Sequence, residues 1–142
     1  MNFFNDITEF IEKKILYNKL LGIKLNSLTN GSSELYLPFK KELLGDPFRS
    51  IIHGGVISSL IDVSGGVTCF SILRNPSYRL STLDLRVDFL EPVKNANLIC
   101  SGKIVRIGNK IGVARMDVFV NNNSKSKLVA IGNGVYTIIR QL

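Results

Sequence analysis

The feature that most constrains this chain is an apolar stretch, residues 51–70, which contains one carboxylate, Asp62, and the chain's only histidine, His53. The pair Asn75-Pro76 follows it and stops a helix there. Helical spacing puts one set of residues on a core face, namely Ile57, Leu60, Ile61, Ser64 and Thr68. A second face carries Ser58, Asp62, Gly65, Gly66 and Cys69. We therefore predict a long buried helix with Asp62 on a face of small residues.

Two adjacent glycines, Gly65 and Gly66, lie inside this predicted helix. Each costs about 1 kcal/mol relative to alanine in a helix interior, so another interaction must offset them. One interpretation is close packing against a second backbone, which composition favours. The other is open volume for a substrate beside Asp62. The sequence leaves both open.

The start of the helix reads His53-Gly54-Gly55. Backbone N–H groups in a first helical turn lack intrahelical partners and carry the positive end of the dipole, and glycine lets a ligand oxygen approach them. This predicts a site for a developing oxyanion. Asp62 lies eight residues beyond Gly54, or about 12 Å along a straight helix at ~1.5 Å per residue. If both groups act in one reaction, the site is shared between two chains.

Length and composition indicate one domain over residues 1–142, long enough to bury about two-thirds of its unfolded surface. We expect no signal peptide and no segment long enough to span a bilayer, because His53, Asp62 and the glycines interrupt the apolar stretch. The default location is therefore the cytoplasm. Cys69 and Cys100 are interpreted as reduced core residues, and no Cys/His cluster indicates a metal.

The net charge of +7 suits nucleic acid, an anionic membrane or a polyphosphate ligand. The basic residues are scattered and no run interleaves them with aromatic residues, so we expect no nucleic-acid partner. The N-terminal residues 2–21 have an amphipathic helical pattern whose polar face carries both signs of charge. This favours packing on the domain over a membrane anchor.

Strand patterns occupy the rest of the chain. A hairpin of residues 23–28 and 33–39 is predicted around Asn30-Gly31, and a loop or short helical turn over residues 40–47. Beyond Pro76 come strands over residues 81–91, 98–107, 111–120 and 127–139, with turns at Gly108-Asn109 and at the polar residues 121–125. In the first of these, alternation puts Leu85 and Thr82 on opposite faces. One long helix with consecutive hairpins predicts an α+β fold with an antiparallel sheet against the helix.

Four segments together resemble the hotdog-fold acyl-CoA thioesterases of the phenylacetate-degradation type. They are His53-Gly54-Gly55 with Asp62, residues 81–92 (STLDLRVDFLEP), residues 106–110 (RIGNK) and residues 127–136. The resemblance covers about residues 20–139. It implies a long central helix wrapped by a curved sheet of five to six strands, plus an N-terminal helix. It also implies dimers with sites at their interface, and in many relatives tetramers.

The resemblance implies an acyl-CoA thioesterase without a further cofactor, coenzyme A being part of the substrate. Gly54 would polarise the thioester carbonyl, with Asp62 as general base or nucleophile, Thr82 orienting water and His53 anchoring the turn by hydrogen bonds. The acyl group would lie beside Gly55, Ser58, Gly66 and Cys69, and the coenzyme phosphates beside Arg106, Gly108, Asn109 and Lys110. The alternative is a non-catalytic acyl-CoA-binding module, which the retained Asp62 disfavours.

One departure from the family pattern concerns the residues before His53. Relatives often carry an asparagine there that helps to hold the carbonyl, whereas this chain reads Gly45-Asp46-Pro47-Phe48. Either Asp46 substitutes in part or the backbone alone binds the carbonyl. The departure bears on turnover and substrate choice more than on the class of reaction.

Overall fold

The structure, a computed structural model, describes residues 2–122 and 125–140. Its helices are α1 (Phe3–Glu9), α2 (Leu16–Leu21) and α3 (Gly54–Leu73). Its strands are β1 (Lys24–Thr29), β2 (Ser32–Leu37), β3 (Leu44–Asp46), β4 (Ile51–Ile52), β5 (Arg79–Phe89), β6 (Asn97–Ile107), β7 (Ile111–Asn122) and β8 (Lys125–Ile139). The turn predicted over residues 121–125 includes residues 123–124, which lie outside the described part.

Six strands form one antiparallel sheet in the order β1-β2-β6-β7-β8-β5, and α3 packs across it. The five residues assigned to the core face of α3 are all buried. The α+β class and the hotdog arrangement are therefore confirmed. The segment predicted as a loop or helical turn forms a 3₁₀ turn at Lys41–Leu43 followed by β3, which pairs with the short β4 directly before α3.

The helix lies very close to the sheet because glycines on the strands leave room for it. A Cβ on Gly102 of β6 would come within 2.3 Å of Thr68 Oγ1, and one on Gly132 of β8 within 2.4 Å of Ile61 Cγ2. Buried hydroxyls join the two layers where they meet, since Ser33 and Thr68 share a 2.7 Å hydrogen bond. This contact fixes both the height and the rotation of α3.

Tyr136 of β8 explains one of the two glycines in α3. A Cβ on Gly65 would lie 2.0 Å from the Tyr136 hydroxyl oxygen, whereas the nearest atom to a Cβ on Gly66 is a Tyr136 ring carbon at 3.8 Å. Close packing, one of the two interpretations of the glycine pair, therefore holds at Gly65, although the partner is a side chain rather than a backbone.

The N-terminal segment is helical as predicted but not continuous. A π-helical turn at Phe10–Lys14 separates α1 from α2, and Ile15 between them has an extended backbone. The buried Asn18 side chain donates to the Ile11 carbonyl, which satisfies an acceptor freed by the break. The Phe3 ring stacks on Phe70 at 6.1 Å, so the segment packs along α3.

The predicted alternation in β5 is wrong at its centre. A register shift between Thr82 and Asp84 leaves Leu83 as an extra residue, which is 58% exposed. The shift puts Thr82 on the helix-facing side together with Leu85, and the Thr82 hydroxyl contacts Asp62. Bulges re-aim side chains in this way and are common beside active sites.

By length and composition alone α3 could cross a membrane, so the expectation that no segment is long enough was wrong. It has 20 residues with a mean hydropathy of 1.7, and 56% of that apolar window is buried inside the fold. The core helix of a folded domain gives the same signal, and α3 contacts all six strands of the main sheet.

Substituting the two adjacent glycines of α3 one at a time tests whether Tyr136 packs against Gly65. Gly65→Ala should lower the free energy of unfolding by about 1–3 kcal/mol, because the new methyl group overlaps Tyr136. Gly66→Ala, one residue away, should raise it by up to about 1 kcal/mol through helix propensity. Urea unfolding of both variants measures the difference. Equal destabilisation by the two would contradict the packing described here.

Candidate active site

The first turn of α3 presents one free backbone donor. His53 is the N-cap residue, and its Nδ1 accepts from the Gly55 N–H at 2.8 Å. The His53 N–H donates to the Leu43 carbonyl at 2.9 Å. Across residues 2–122 and 125–140, the Gly54 N–H has no hydrogen-bond acceptor. His53 thus holds the turn while Gly54 retains an unpaired N–H at the positive end of a 20-residue helix.

An apolar cavity of about 310 Å³ opens beside Gly54. It lies between the start of α3 and the end of β5, and it is lined by Ile51, Ile52, Gly54, Ile57, Phe89, Leu90, Glu91, Pro92 and Val93. The Phe89 ring lies 3.4 Å from where a Gly54 Cβ would be. A carbonyl that accepts from the Gly54 N–H would therefore have apolar surface next to it.

Asp62 is held by a hydroxyl from the neighbouring strand. Thr82 donates to Asp62 Oδ1 at 2.7 Å, while Oδ2 meets no donor within the described part of the chain. The carboxylate is half-buried, so one oxygen is fixed and the other can reach a ligand or water. Of the two adjacent hydroxyl residues Ser81 and Thr82, Thr82 is the one that contacts Asp62.

Gly54 and Asp62 do not meet within one chain. Both belong to α3, which runs without interruption from Gly54 to Leu73. Eight residues at ~1.5 Å each separate them by about 12 Å along the axis. This spacing is too large for one carbonyl group to contact both groups of the same chain.

Asp46 does not replace the asparagine that is missing before His53. Its carboxylate accepts from the Phe48 and Arg49 amides and from Arg49 Nε at 2.6 Å. The side-chain hydrogen bond from Arg49 holds the pKa of Asp46 below its usual range, so the group is ionised. An ionised carboxylate only accepts hydrogen bonds, and it has none to donate to a carbonyl.

The four residues predicted beside the acyl group have different environments. Gly55 is exposed, and Ser58 and Gly66 are half-buried on the side of α3 that carries Asp62. Cys69 has no exposed surface, and it packs where a Cβ on Gly112 would lie 2.8 Å from its sulfur. Burial raises the pKa of Cys69 to about 12, so its thiol is neutral and unreactive. Within one chain Cys69 is a core residue.

The predicted basic hairpin lies between β6 and β7. Arg106, Asn109 and Lys110 are exposed there, and the Gly108 N–H donates to the Ile111 carbonyl at 2.8 Å. Sequence reasoning missed Arg140, whose Nη2 and Nε donate to the Asn109 carbonyl at 2.8 and 3.0 Å. The pairing of Ile111 with Thr137 places Arg140 there, a register that could have been inferred from the predicted β7–β8 hairpin.

The hairpin and Asp62 lie at the same end of β8. The Ile138 N–H donates to the Lys110 carbonyl, and Tyr136, two residues earlier, donates to the Asp62 carbonyl. Two residues of strand span about 7 Å. An extended ligand bound at the hairpin could therefore reach the neighbourhood of Asp62. The described residues contain no group of three His, Cys, Asp or Glu side chains placed to hold a metal ion.

Comparison with known proteins matches this chain to thioesterases. A family described as the thioesterase superfamily matches residues 50–127, more than half of the chain. The medium/long-chain acyl-CoA thioesterase YigI of Escherichia coli is 29% identical over 134 residues, covering 86% of this chain and 84% of that protein.

Solved structures agree with these matches. A Shewanella oneidensis protein related to the thioesterase superfamily has a TM-score of 0.82 at 28% identity, covering 94% of this chain and 93% of its own. A thioesterase family protein from Silicibacter pomeroyi has a TM-score of 0.86 at 18% identity, covering 97% of this chain and 98% of its own. The second likeness concerns the fold alone.

Proposed function

The chain belongs to the thioesterase superfamily, and we propose that it hydrolyses acyl-CoA thioesters to a free acid and coenzyme A. The proposal rests on the environment of Asp62. Its carboxylate is half-buried, Oδ1 accepts a hydrogen bond from Thr82, and Oδ2 meets no donor among the described residues. Hydrolysis needs a group that attacks the carbonyl or activates water, and Asp62 is placed to do either. This favours an enzyme over a non-catalytic binding module.

The Gly54 N–H is the proposed donor to the thioester oxygen. Negative charge develops on that oxygen as the carbonyl is attacked, and a fixed N–H at a helix start stabilises it without reorganisation. The cavity beside Gly54 takes the apolar part of the substrate next to the carbonyl, bordered by Ile57 and Phe89. Gly55, Ser58 and Gly66 line the acyl path, while Cys69 is left out because it faces the core.

Two routes use the same groups. As general base, Asp62 removes a proton from water, which attacks the carbonyl carbon while the coenzyme A thiolate leaves. As nucleophile, Asp62 attacks the carbonyl carbon and expels the coenzyme A thiolate, which forms a mixed anhydride that water then opens at the Asp62 carbonyl. Single-turnover hydrolysis in isotopically labelled water separates them, because only the second route puts the label into the protein.

The hairpin carries the proposed coenzyme site. Arg106 and Lys110 are exposed cations next to the tip, and Arg140 fixes the tip by its bonds to Asn109. Gly108 and Asn109 let the backbone approach a phosphate. Cations beside a turn suit a polyphosphate. No cofactor beyond the coenzyme A of the substrate is part of the proposal.

The active unit in this proposal is a homodimer, alone or paired into a tetramer. The two edge strands each have a register shift but differ in length: β1 has six residues and β5 has 11. Leu83 and Phe89 of β5 are exposed at 58% and 54%. A free strand edge presents unpaired N–H and C=O groups, which makes it a template for pairing with another chain. Pairing through β5 brings the Gly54 turn of one chain towards the Asp62 of the other. Within the superfamily we favour the phenylacetate-degradation type, acting in the cytoplasm.

Asp62→Asn tests the catalytic group. Hydrolysis should fall at least about 100-fold, because the amide neither removes a proton nor attacks a carbonyl. The fold should persist, since the amide oxygen still accepts from Thr82. Acyl-CoA turnover is measured by release of free thiol, with Asp6→Asn, an exposed carboxylate on α1, as the control. Near-normal turnover by a folded Asp62→Asn variant would refute the assignment.

Arg106→Ala combined with Lys110→Ala tests the coenzyme site. KM for acyl-CoA should rise about tenfold, equivalent to about 1.4 kcal/mol of binding, with a smaller change in kcat because remote contacts bind ground and transition states alike. A thioester that lacks the nucleotide should be unaffected. Lys103→Ala, on the same hairpin away from its tip, is the matched control. Equal losses with both substrates would remove the hairpin from the site.

Mixing two inactive variants tests the shared site. Gly54→Pro removes the N–H, and the structure should tolerate proline at this first helical position because His53 before it is extended (φ −60°, ψ 131°). Gly54→Ala, which keeps the N–H, should stay active. Co-refolded Gly54→Pro and Asp62→Asn chains should regain roughly a quarter of wild-type activity, since about half the dimers are mixed with one intact site each. Parents that exchange subunits without recovery would overturn the model.

A further inference from the structure

Tyr136 is a buried side chain that touches the residue proposed to perform the chemistry. It is 2% exposed, and its hydroxyl donates to the backbone carbonyl of Asp62 at 2.9 Å. Burial raises the pKa of Tyr136 well above its usual range, so the hydroxyl stays protonated and remains a donor. The contact joins residues 74 positions apart in the sequence.

Tyr136 and Thr82 are direct cross-strand partners on β8 and β5. Thr82 donates to the side chain of Asp62 and Tyr136 to its main chain. Both hydrogen bonds therefore come from one cross-strand pair, and together they fix the side chain and the main chain of Asp62. Among the described residues, Asp62 Oδ2 meets no donor.

Space for this tyrosine is built into both layers. A Cβ on Gly65 of α3 would lie 2.0 Å from its hydroxyl oxygen, and one on Gly134, on its own strand, 2.5 Å away. The ring thus lies between two positions without side chains. A helix carbonyl already accepts one bond from the N–H four residues later, so the phenol is not needed to satisfy it. The second bond ties the turn of α3 that carries Asp62 to β8.

We propose that Tyr136 is a positioning residue, which together with its cross-strand partner Thr82 sets the position and direction of the Asp62 carboxylate. The proposal rests on the function proposed above. Tyr136 does not touch the substrate. Its hydroxyl holds the helix turn in place, while the Thr82 hydroxyl sets the carboxylate rotation. Misplacement of a reacting group by about 1 Å can cost up to about a hundredfold in rate.

Tyr136→Phe removes only the hydroxyl and retains the ring. In steady-state hydrolysis, kcat should fall about tenfold with KM unchanged. The factor should be the same for a short and a long acyl-CoA, because the acyl path is untouched. The midpoint of thermal unfolding should fall by about 3 °C.

Ser71→Ala is the matched control for stability. Ser71 is a buried hydroxyl on the same helix, nine residues beyond Asp62, which donates to the Thr68 carbonyl and accepts from the Gly31 N–H. Its loss should lower the unfolding midpoint about as much and leave kcat unchanged. An equal drop in kcat for Ser71→Ala would attribute the Tyr136 effect to general destabilisation and overturn the proposal.

A double-mutant cycle separates positioning from structure. In an Asp62→Asn background there is no carboxylate to position, so adding Tyr136→Phe should change the residual rate less than twofold. A further tenfold loss there, or an unchanged kcat for Tyr136→Phe alone, would overturn the proposal. Failure of the proposed function has a different result, since the wild-type protein would then release no free thiol from acyl-CoA.

Discussion

The close approach of α3 to its sheet is the contact on which the rest of this structure depends. At Gly102 the helix lies so near the strand that a single methyl group would overlap Thr68. The hydroxyls of Ser33 and Thr68 bond directly across the same boundary, inside the core. Interiors packed at this density do not deform continuously. The helix therefore has one height and one rotation, and each group on it has a fixed place.

The functional groups inherit this rigidity from the helix. Gly54 owes its free N–H to being the first residue of α3, with His53 folded back onto Gly55. Asp62 owes its orientation to being two turns further, above the point where Thr82 and Tyr136 face each other. In the proposed reaction neither group has to reorganise when charge develops, which is where fixed dipoles are most effective.

Much of this architecture follows from local patterns in the sequence. The spacing of Ile57, Leu60 and Ile61 predicts the buried face of α3, and Asn30-Gly31 predicts the first hairpin, where Gly31 has a φ of +90°. The bulge at Leu83 could not be predicted, because an apolar residue there continues the alternation of β5. It decides, however, that Thr82 faces the helix.

The contacts that define the candidate site are mostly long-range, and a single sequence does not encode them locally. Tyr136 reaches Asp62 across 74 positions, and Arg140 reaches Asn109 across 31. The space beside Gly65 illustrates the consequence. Small residues around a carboxylate are equally compatible with a substrate channel and with a large side chain from elsewhere, and only the register of β8 decides that Tyr136 occupies it.

The same rigidity gives strand β5 a double role in the proposed enzyme. Its inner side supplies Thr82 to the carboxylate and Phe89 to the cavity beside Gly54, while its outer edge is free to pair. A straight helix cannot shorten the roughly 12 Å between Gly54 and Asp62, so catalysis by both groups requires a second chain. Strand β5 contacts both Gly54 and Asp62 of its own chain. In a dimer paired along β5, the same strand would therefore also set the position of Gly54 in one chain relative to Asp62 in the other. Dimerisation and alignment of the site then depend on the same backbone.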